Sequence, residues 1–267
     1  MRRLFGLLAL ALLAACGDAP QDQPVAFARL SPDPVKHGER ISQVLGCRGC
    51  HGDDLSGQEW NEPEFAVVWS ANLTASATRY DDAQLKMMIA DGKRPDGSVL
   101  WDMPSHIFTQ LADADMAAVV AYMRSVPKKG GAHPRPVFGP LAKKEMADAT
   151  YVSAASAVDK AGKLWPPDAG PDHAMARYMV RATCAECHEM TLRGGTPYPG
   201  AEPRPDLRIA ASYDLADFRR LLRTGVAAGD RKLGLMGEVA RSRYSRFSDA
   251  EIAAIHAYLK AVAERDP

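Results

Sequence analysis

CRGCH at residues 47–51 and CAECH at residues 184–188 are one five-residue pattern written twice, 137 positions apart. The 267-residue chain has five cysteines, and four of them stand in these copies as Cys47, Cys50, Cys184 and Cys187. The fifth, Cys16, closes the tetrad Leu13-Ala14-Ala15-Cys16. It follows a segment in which Arg2 and Arg3 precede an apolar run from Leu4 to Leu13. A basic start, a short apolar stretch and small residues before a cut make an export signal, too short to span a membrane. In an exported chain a disulfide is the first use of paired cysteines to weigh. Each pair here is followed at once by a histidine, His51 or His188, which a disulfide does not need.

The spacing is a matter of reach. Two thiols two residues apart meet the two vinyl groups on one edge of a porphyrin, and the adjacent imidazole lies under the iron. C-x-x-C-H is thus the attachment signature of c-type haem. Zinc would need four ligands, and each copy offers two cysteines and one histidine. A redox dithiol of the thioredoxin kind would want a βαβ pattern around it, which is missing. The motifs therefore predict two covalently bound haem c groups. One is held by Cys47 and Cys50 with His51 on the iron, the other by Cys184 and Cys187 with His188 on the iron.

The repeat extends beyond the motif. FTQLADADMAAVVAYMRSV, residues 108–126, aligns without a gap on YSRFSDAEIAAIHAYLKAV, residues 244–262, with seven identities. Met116, Val119, Val120 and Met123 recur at i, i+3, i+4 and i+7, and Ile252, Ile255 and Leu259 repeat the stripe, so each is an amphipathic helix. Ser248 and Glu251 form a capping box at the start of the second copy, where the first has only Ala112 and Asp115. YDDAQLKMMIADGK, 80–93, matches YDLADFRRLLRTGV, 213–226, as a middle helix. A short helix precedes each motif: one with Asp33 as N-cap and Pro34 at its first position, the other starting near Asp172.

Each half thus reads as helix, C-x-x-C-H, loop, helix, loop, helix. That order resembles the cytochrome c domain, in which first and last helices cross beside one haem. In the first half SANLT, a helix ending in DGKRPDG, and DMPSHIF are similar to the cytochrome subunits of membrane-bound alcohol and sugar dehydrogenases. The resemblance implies an all-α fold of two tandem cytochrome c domains and a role in electron transfer. Two motifs stand here where those subunits have three, and the tetrad Leu13-Ala14-Ala15-Cys16, which resembles a bacterial lipobox, stands in place of their C-terminal membrane helix. The predicted organisation is a signal peptide over 1–15, a tether over 16–33, a first domain over 34–127, a linker over 128–170 rich in Pro, Gly and Ala, and a second domain over 171–267. A linker of that length is expected to drape over one domain and to contain a short helix.

The second axial position of each iron decides between a carrier and an enzyme. Met103, in Trp101-Asp102-Met103-Pro104, lies between middle and last helices. The middle helices are offset by 133 residues, and that offset carries Met103 onto Met236. A thioether is soft and favours reduced iron. The resemblance implies Met103 and Met236 as the distal ligands, with the irons closed. Met87, Met88, Met116 and Met123 read as core, and Met190 lies too near its own motif. His106 is a second distal candidate, and His256, on the last helix's apolar stripe, reads as a buried, hydrogen-bonded histidine. His37, His133 and His173 read as surface residues, and Trp69 and Trp101 as packed beside haem.

The expected function is electron transfer between a redox protein donor and an acceptor, a periplasmic dehydrogenase and the respiratory chain, with no small-molecule substrate. The rival is a di-haem peroxidase-like enzyme with one open iron. The tetrad ending in Cys16 resembles a bacterial lipobox, which implies cleavage before Cys16, lipidation of its sulfur, and attachment to the periplasmic side of a membrane. Losing residues 1–15 removes Arg2 and Arg3 and leaves 31 basic against 33 acidic residues, a net of −2. With no basic face, nucleic acid is not an expected partner.

Overall fold

A computed structural model describes residues 25–197 and 201–265. Cys16, with its predicted cleavage and lipidation, lies outside the described residues. The helices of the first half are α1 (Pro34–Leu45), α2 (Cys47–His51), α3 (Leu73–Arg79), α4 (Asp82–Asp91), α5 (Ser105–Phe108) and α6 (Asp113–Ser125). Two more follow between the halves, α7 (Pro140–Ala147) and α8 (Ala154–Ala161). The second half holds α9 (Ala174–Thr183), α10 (Ala185–His188), α11 (Leu215–Thr224), α12 (Leu235–Ser242) and α13 (Asp249–Arg265). The strands are short: β1 (Glu59–Glu62), β2 (Ala66–Trp69) and β3 (Val137–Phe138) form one antiparallel ladder, and β4 (Val226–Ala227) pairs with β5 (Arg231–Lys232). The class is all-α. No described helix is long and apolar enough to cross a membrane.

Local chemistry sets the helix ends. The Asp33 carboxylate accepts from the amides of Val35 and Lys36, and Pro34 occupies the first turn, where its missing N–H costs nothing. Ser248 and Glu251 close the expected capping box: Glu251 N donates to Ser248 Oγ at 3.1 Å and Ser248 N to Glu251 Oε2 at 2.7 Å. Asp115, its counterpart in the repeat, has no serine to exchange with and is used elsewhere. The second motif's leading helix begins with a 3-10 turn, Pro171–His173, and becomes α-helical at Ala174.

First and last helices cross in both halves, α1 on α6 and α9 on α13. Gly38 makes the first crossing close, because a Cβ there would fall 1.8 Å from the Ala118 carbonyl oxygen. One continuous apolar core runs through both halves, including Ile41, Val44, Val120 and Met123 with Met179, Val180, Ile252 and Ile255.

The segment after residue 24 is packed. Phe27, 3% exposed, lies edge-on to Tyr178 and stacks on Phe247. Its amide donates to Asp115 Oδ2 at 2.9 Å, and the Ala28 amide donates to Glu251 Oε1 at 3.3 Å. Asp115 also accepts from Tyr178 Oη at 2.7 Å, while Arg40 donates to Glu251 at 2.9 Å. These equivalent carboxylates therefore each take a donor from the opposite half. His37, read as a surface residue, is buried beside Asp115, its Nε2 3.7 Å from Oδ1.

The stretch between the halves packs on the first half. Asn72 Nδ2 donates to the carbonyls of Lys129 and Gly131, His133 Nε2 pairs with the Ser56 carbonyl at 2.7 Å, and Val137 and Phe138 extend the β2 edge. It contains two short helices where the sequence suggested one.

Candidate functional site

In the first half α1 ends at Gly46, whose left-handed φ of 85° turns the chain directly into CRGCH. In the second, α9 runs through Cys184 into CAECH with no glycine. Both motifs form a short helix; Cys47, Cys50 and His51 line a cavity at the first, and Cys184 and His188 line one at the second. His51 and His188 are buried, at 8% and 7% exposure.

The two histidines are anchored alike. His51 Nδ1 donates to the Ala71 carbonyl at 2.8 Å, and His188 Nδ1 donates to the Pro205 carbonyl at the same distance. A carbonyl only accepts, so the proton sits on Nδ1 and the Nε2 lone pair is left to face a metal. Burial pushes both imidazoles below their ordinary value, against the pull of the carbonyls. They are therefore neutral at neutral pH, the form that binds a metal.

The thiols are not poised as nucleophiles. Burial pushes Cys47 and Cys184 up to about 11 and raises Cys50 and Cys187 as well. Reactive or metal-binding thiolates show the opposite shift. All four are free, without a disulfide among the described residues. Nor do the described residues contain a cluster of three His, Cys, Asp or Glu side chains able to hold a metal ion by themselves.

The cavities pair each histidine with the expected methionine. Around the first motif, spaces of about 550 and 480 Å³ within the first half and one of about 300 Å³ at its boundary with the second are each lined by both His51 and Met103. Leu85, Ile89 and Met123 supply apolar wall, Trp69 lines two of the lobes, and Trp101 lines one. In the second half a narrower space of about 240 Å³ is lined by Cys184, His188 and Met236, with Phe218, Leu222 and Ile255 around it. An apolar slot with a neutral imidazole, a thioether and rim thiols fits a tethered, iron-bearing planar macrocycle. It does not fit a hydrated divalent ion, which wants oxygen ligands.

The two methionines are supported differently. Asp102, just before Met103, adopts a left-handed φ of 58° and accepts from Tyr151 Oη at 2.8 Å. Trp101 packs against Phe138 and Tyr151 with ring centroids 4.9 and 5.0 Å away. Residues between the halves thus brace the Met103 loop. Met236 instead lies in the first turn of α12.

The other histidines separate cleanly. His256 Nε2 pairs with the Tyr213 carbonyl at 2.9 Å and its ring lies against Phe218. His106 lines none of these cavities, although its Nδ1 is buried without a partner. Sequence reasoning missed the anchoring carbonyls, the Tyr151 brace, and Arg243, which links the two motifs. Only Arg243 left a trace: it stands where the repeat has Ile107.

A family model described as Cytochrome c matches residues 35–127 and 174–263. The chain is similar to the fructose dehydrogenase cytochrome subunit of Gluconobacter japonicus, at 26% identity over 85% of this chain and 52% of that protein. It is also similar to the cytochrome c subunit of the quinone alcohol dehydrogenase of Gluconacetobacter polyoxogenes, at 26% identity over 97% of this chain and 61% of that protein. The gluconate 2-dehydrogenase cytochrome c subunit of Pantoea cypripedii is 26% identical over 91% of this chain and 64% of its own length. The chain therefore spans between half and two-thirds of these relatives.

Proposed function

The chain belongs to the cytochrome c family, and on that premise we propose that it carries electrons through two covalently attached haems, each closed by imidazole on one face and thioether on the other. Cys47 and Cys50 tether the first, with His51 and Met103 as axial ligands. Cys184 and Cys187 tether the second, with His188 and Met236. Bound haem supplies one-electron chemistry at iron. The chain supplies everything else. The Ala71 and Pro205 carbonyls hold the imidazole rings, the apolar walls exclude water, and the thioethers favour the reduced metal.

The observation that carries this reading is the double coincidence in the cavities. In each half the anchored histidine and the register-matched methionine line the same cavity, which in the first half also carries Arg79, Arg94 and Arg135 on its wall and in the second is almost wholly apolar. Two strong ligands leave no position for a substrate, which favours a carrier over a peroxidase-like enzyme. The similar dehydrogenase subunits point to a dehydrogenase as donor and a respiratory acceptor. Cys16 would anchor the protein on the periplasmic side of a membrane through lipid.

Mass spectrometry of the purified holoprotein tests the cofactor count, with two attached haems expected. Its ferric spectrum should carry the far-red band of a sulfur–iron bond. Prompt carbon monoxide binding to either ferrous haem at neutral pH refutes closed ligation at that site.

A further inference from the structure

Arg243, immediately after α12, joins the two attachment motifs. Its Nη2 donates to the Leu45 carbonyl at 2.5 Å, and Nη1 and Nη2 both donate to Glu186 Oε2 at 2.9 Å. Leu45 ends α1 two residues before Cys47, and Glu186 lies between Cys184 and Cys187. The guanidinium fills the place of a side chain at Gly46, where a Cβ would fall 2.2 Å from it. The cavity of about 300 Å³ at this boundary is lined by Cys47, Cys50 and Met103 from one half and by Glu186 and Val239 from the other.

We infer that Arg243 and Glu186 are positioning residues that hold the cysteine-bearing edges of the two haems against one another, so that electrons pass between the halves directly across this boundary. The inference rests on both motifs carrying haem. Exchange of one electron leaves one iron ferric and the other ferrous, with no bond made and no proton moved. The guanidinium suits the task because its planar fork serves a carboxylate and a carbonyl at once, in a fixed orientation. Its side chain is 14% exposed and that of Glu186 28%, so bulk solvent screens the pair only in part.

The test uses the full-length holoprotein and its Arg243→Gln, Arg243→Lys and Glu186→Gln variants. Each is counted for haem by mass spectrometry, examined by circular dichroism in the Soret region, and titrated for both midpoint potentials. Apposed haems couple excitonically, so the unsubstituted protein should show a two-signed Soret couplet that collapses in both Arg243 variants. Arg243→Gln should lower both potentials and Glu186→Gln should raise both, because a nearby cation favours the reduced metal and an anion the oxidised one. The opposite signs report that both charges lie close to the irons, and the couplet reports that the pair holds the haems together. The inference is overturned by two haems without a couplet, by a full couplet in Arg243→Gln, or by potential shifts of one sign in both charge variants. If Arg243→Gln loses haem, the unsubstituted protein's couplet and the Glu186→Gln shift decide the matter. Fewer than two haems in the unsubstituted protein defeats the underlying reading, and the inference with it.

Discussion

Replacing Arg181 by methionine should loosen the two halves from one another. Arg181 lies on α9 and is 1% exposed, yet no carboxylate is among its hydrogen-bond partners. It donates to four carbonyls: Ile107 at 2.6 Å, His106 and Gly162 at 2.8 Å, and Leu164 at 3.1 Å. Two belong to α5 of the first half and two to the connecting stretch, so one side chain staples three parts of the molecule. Burial lowers the guanidinium to about 10, which still leaves it charged at neutral pH. Hydrogen bonds from a charged donor each contribute about 1.5–3 kcal/mol. Dehydrating the cation costs several kcal/mol in the opposite direction. Arg181→Met roughly keeps the length and volume but strips four carbonyls of their donor, the bonds to Ile107 and Gly162 being fully buried. At about 1–3 kcal/mol for each buried acceptor left unpaired, a net loss of about 3–5 kcal/mol is expected. At roughly 2–4 °C per kcal/mol for a chain of this size, the melting point should fall by about 6–20 °C. Thermal unfolding of the holoprotein by far-ultraviolet circular dichroism reads the shift, and hydrogen exchange should show the residue 105–108 segment losing protection. A fall smaller than about 2 °C would mean that water replaces the guanidinium at little cost, and the stapling argument would be wrong.

Three further outcomes follow from the same geometry. Gly38→Ala drives a methyl group into the Ala118 carbonyl and should cost at least about 1–3 kcal/mol, measured by denaturant titration. Met103→Ala and Met236→Ala should each remove half of the far-red sulfur–iron band, open one iron to carbon monoxide, and lower that haem's potential; an unchanged band acquits the methionine. The buried Asp115 cluster should make stability depend on pH. Burial raises the Asp115 carboxyl, against the hydrogen bonds from Tyr178 and the Phe27 amide. The native state therefore holds this proton longer than the unfolded chain, whose carboxylates titrate near about 3.9. Its contribution is full below that value and is lost as pH rises through the folded one. Tyr178→Phe removes an opposing hydrogen bond and should extend the loss to higher pH, which urea midpoints across the acid range will show; parallel profiles for the two proteins would refute it. His37 works with the opposite sign. Burial lowers it, so its contribution is full above the ordinary imidazole value and is lost as pH falls through the folded one.

Short-range chemistry made much of this protein legible from its sequence. The paired C-x-x-C-H motifs, the helix stripes, the Asp33 cap and the Ser248–Glu251 box all involve residues a few positions apart, and they identified an all-α fold of the cytochrome c family. Met103 and Met236 emerged as candidates because duplication preserves register. The tertiary structure alone decided what crosses long separations. His37 looked like a surface residue because its partner, Asp115, lies 78 positions away. The connecting stretch was expected to drape over one domain with one short helix, but its second helix and the packing of Phe138 and Tyr151 on Trp101 were not legible, because those side chains have no period, only a Trp101 to cover. The meeting of the two motifs through Arg243 depends on which faces of two separately legible units come together. Docking of that kind leaves no periodic mark on a chain, since its contacts are set by shape and charge in three dimensions.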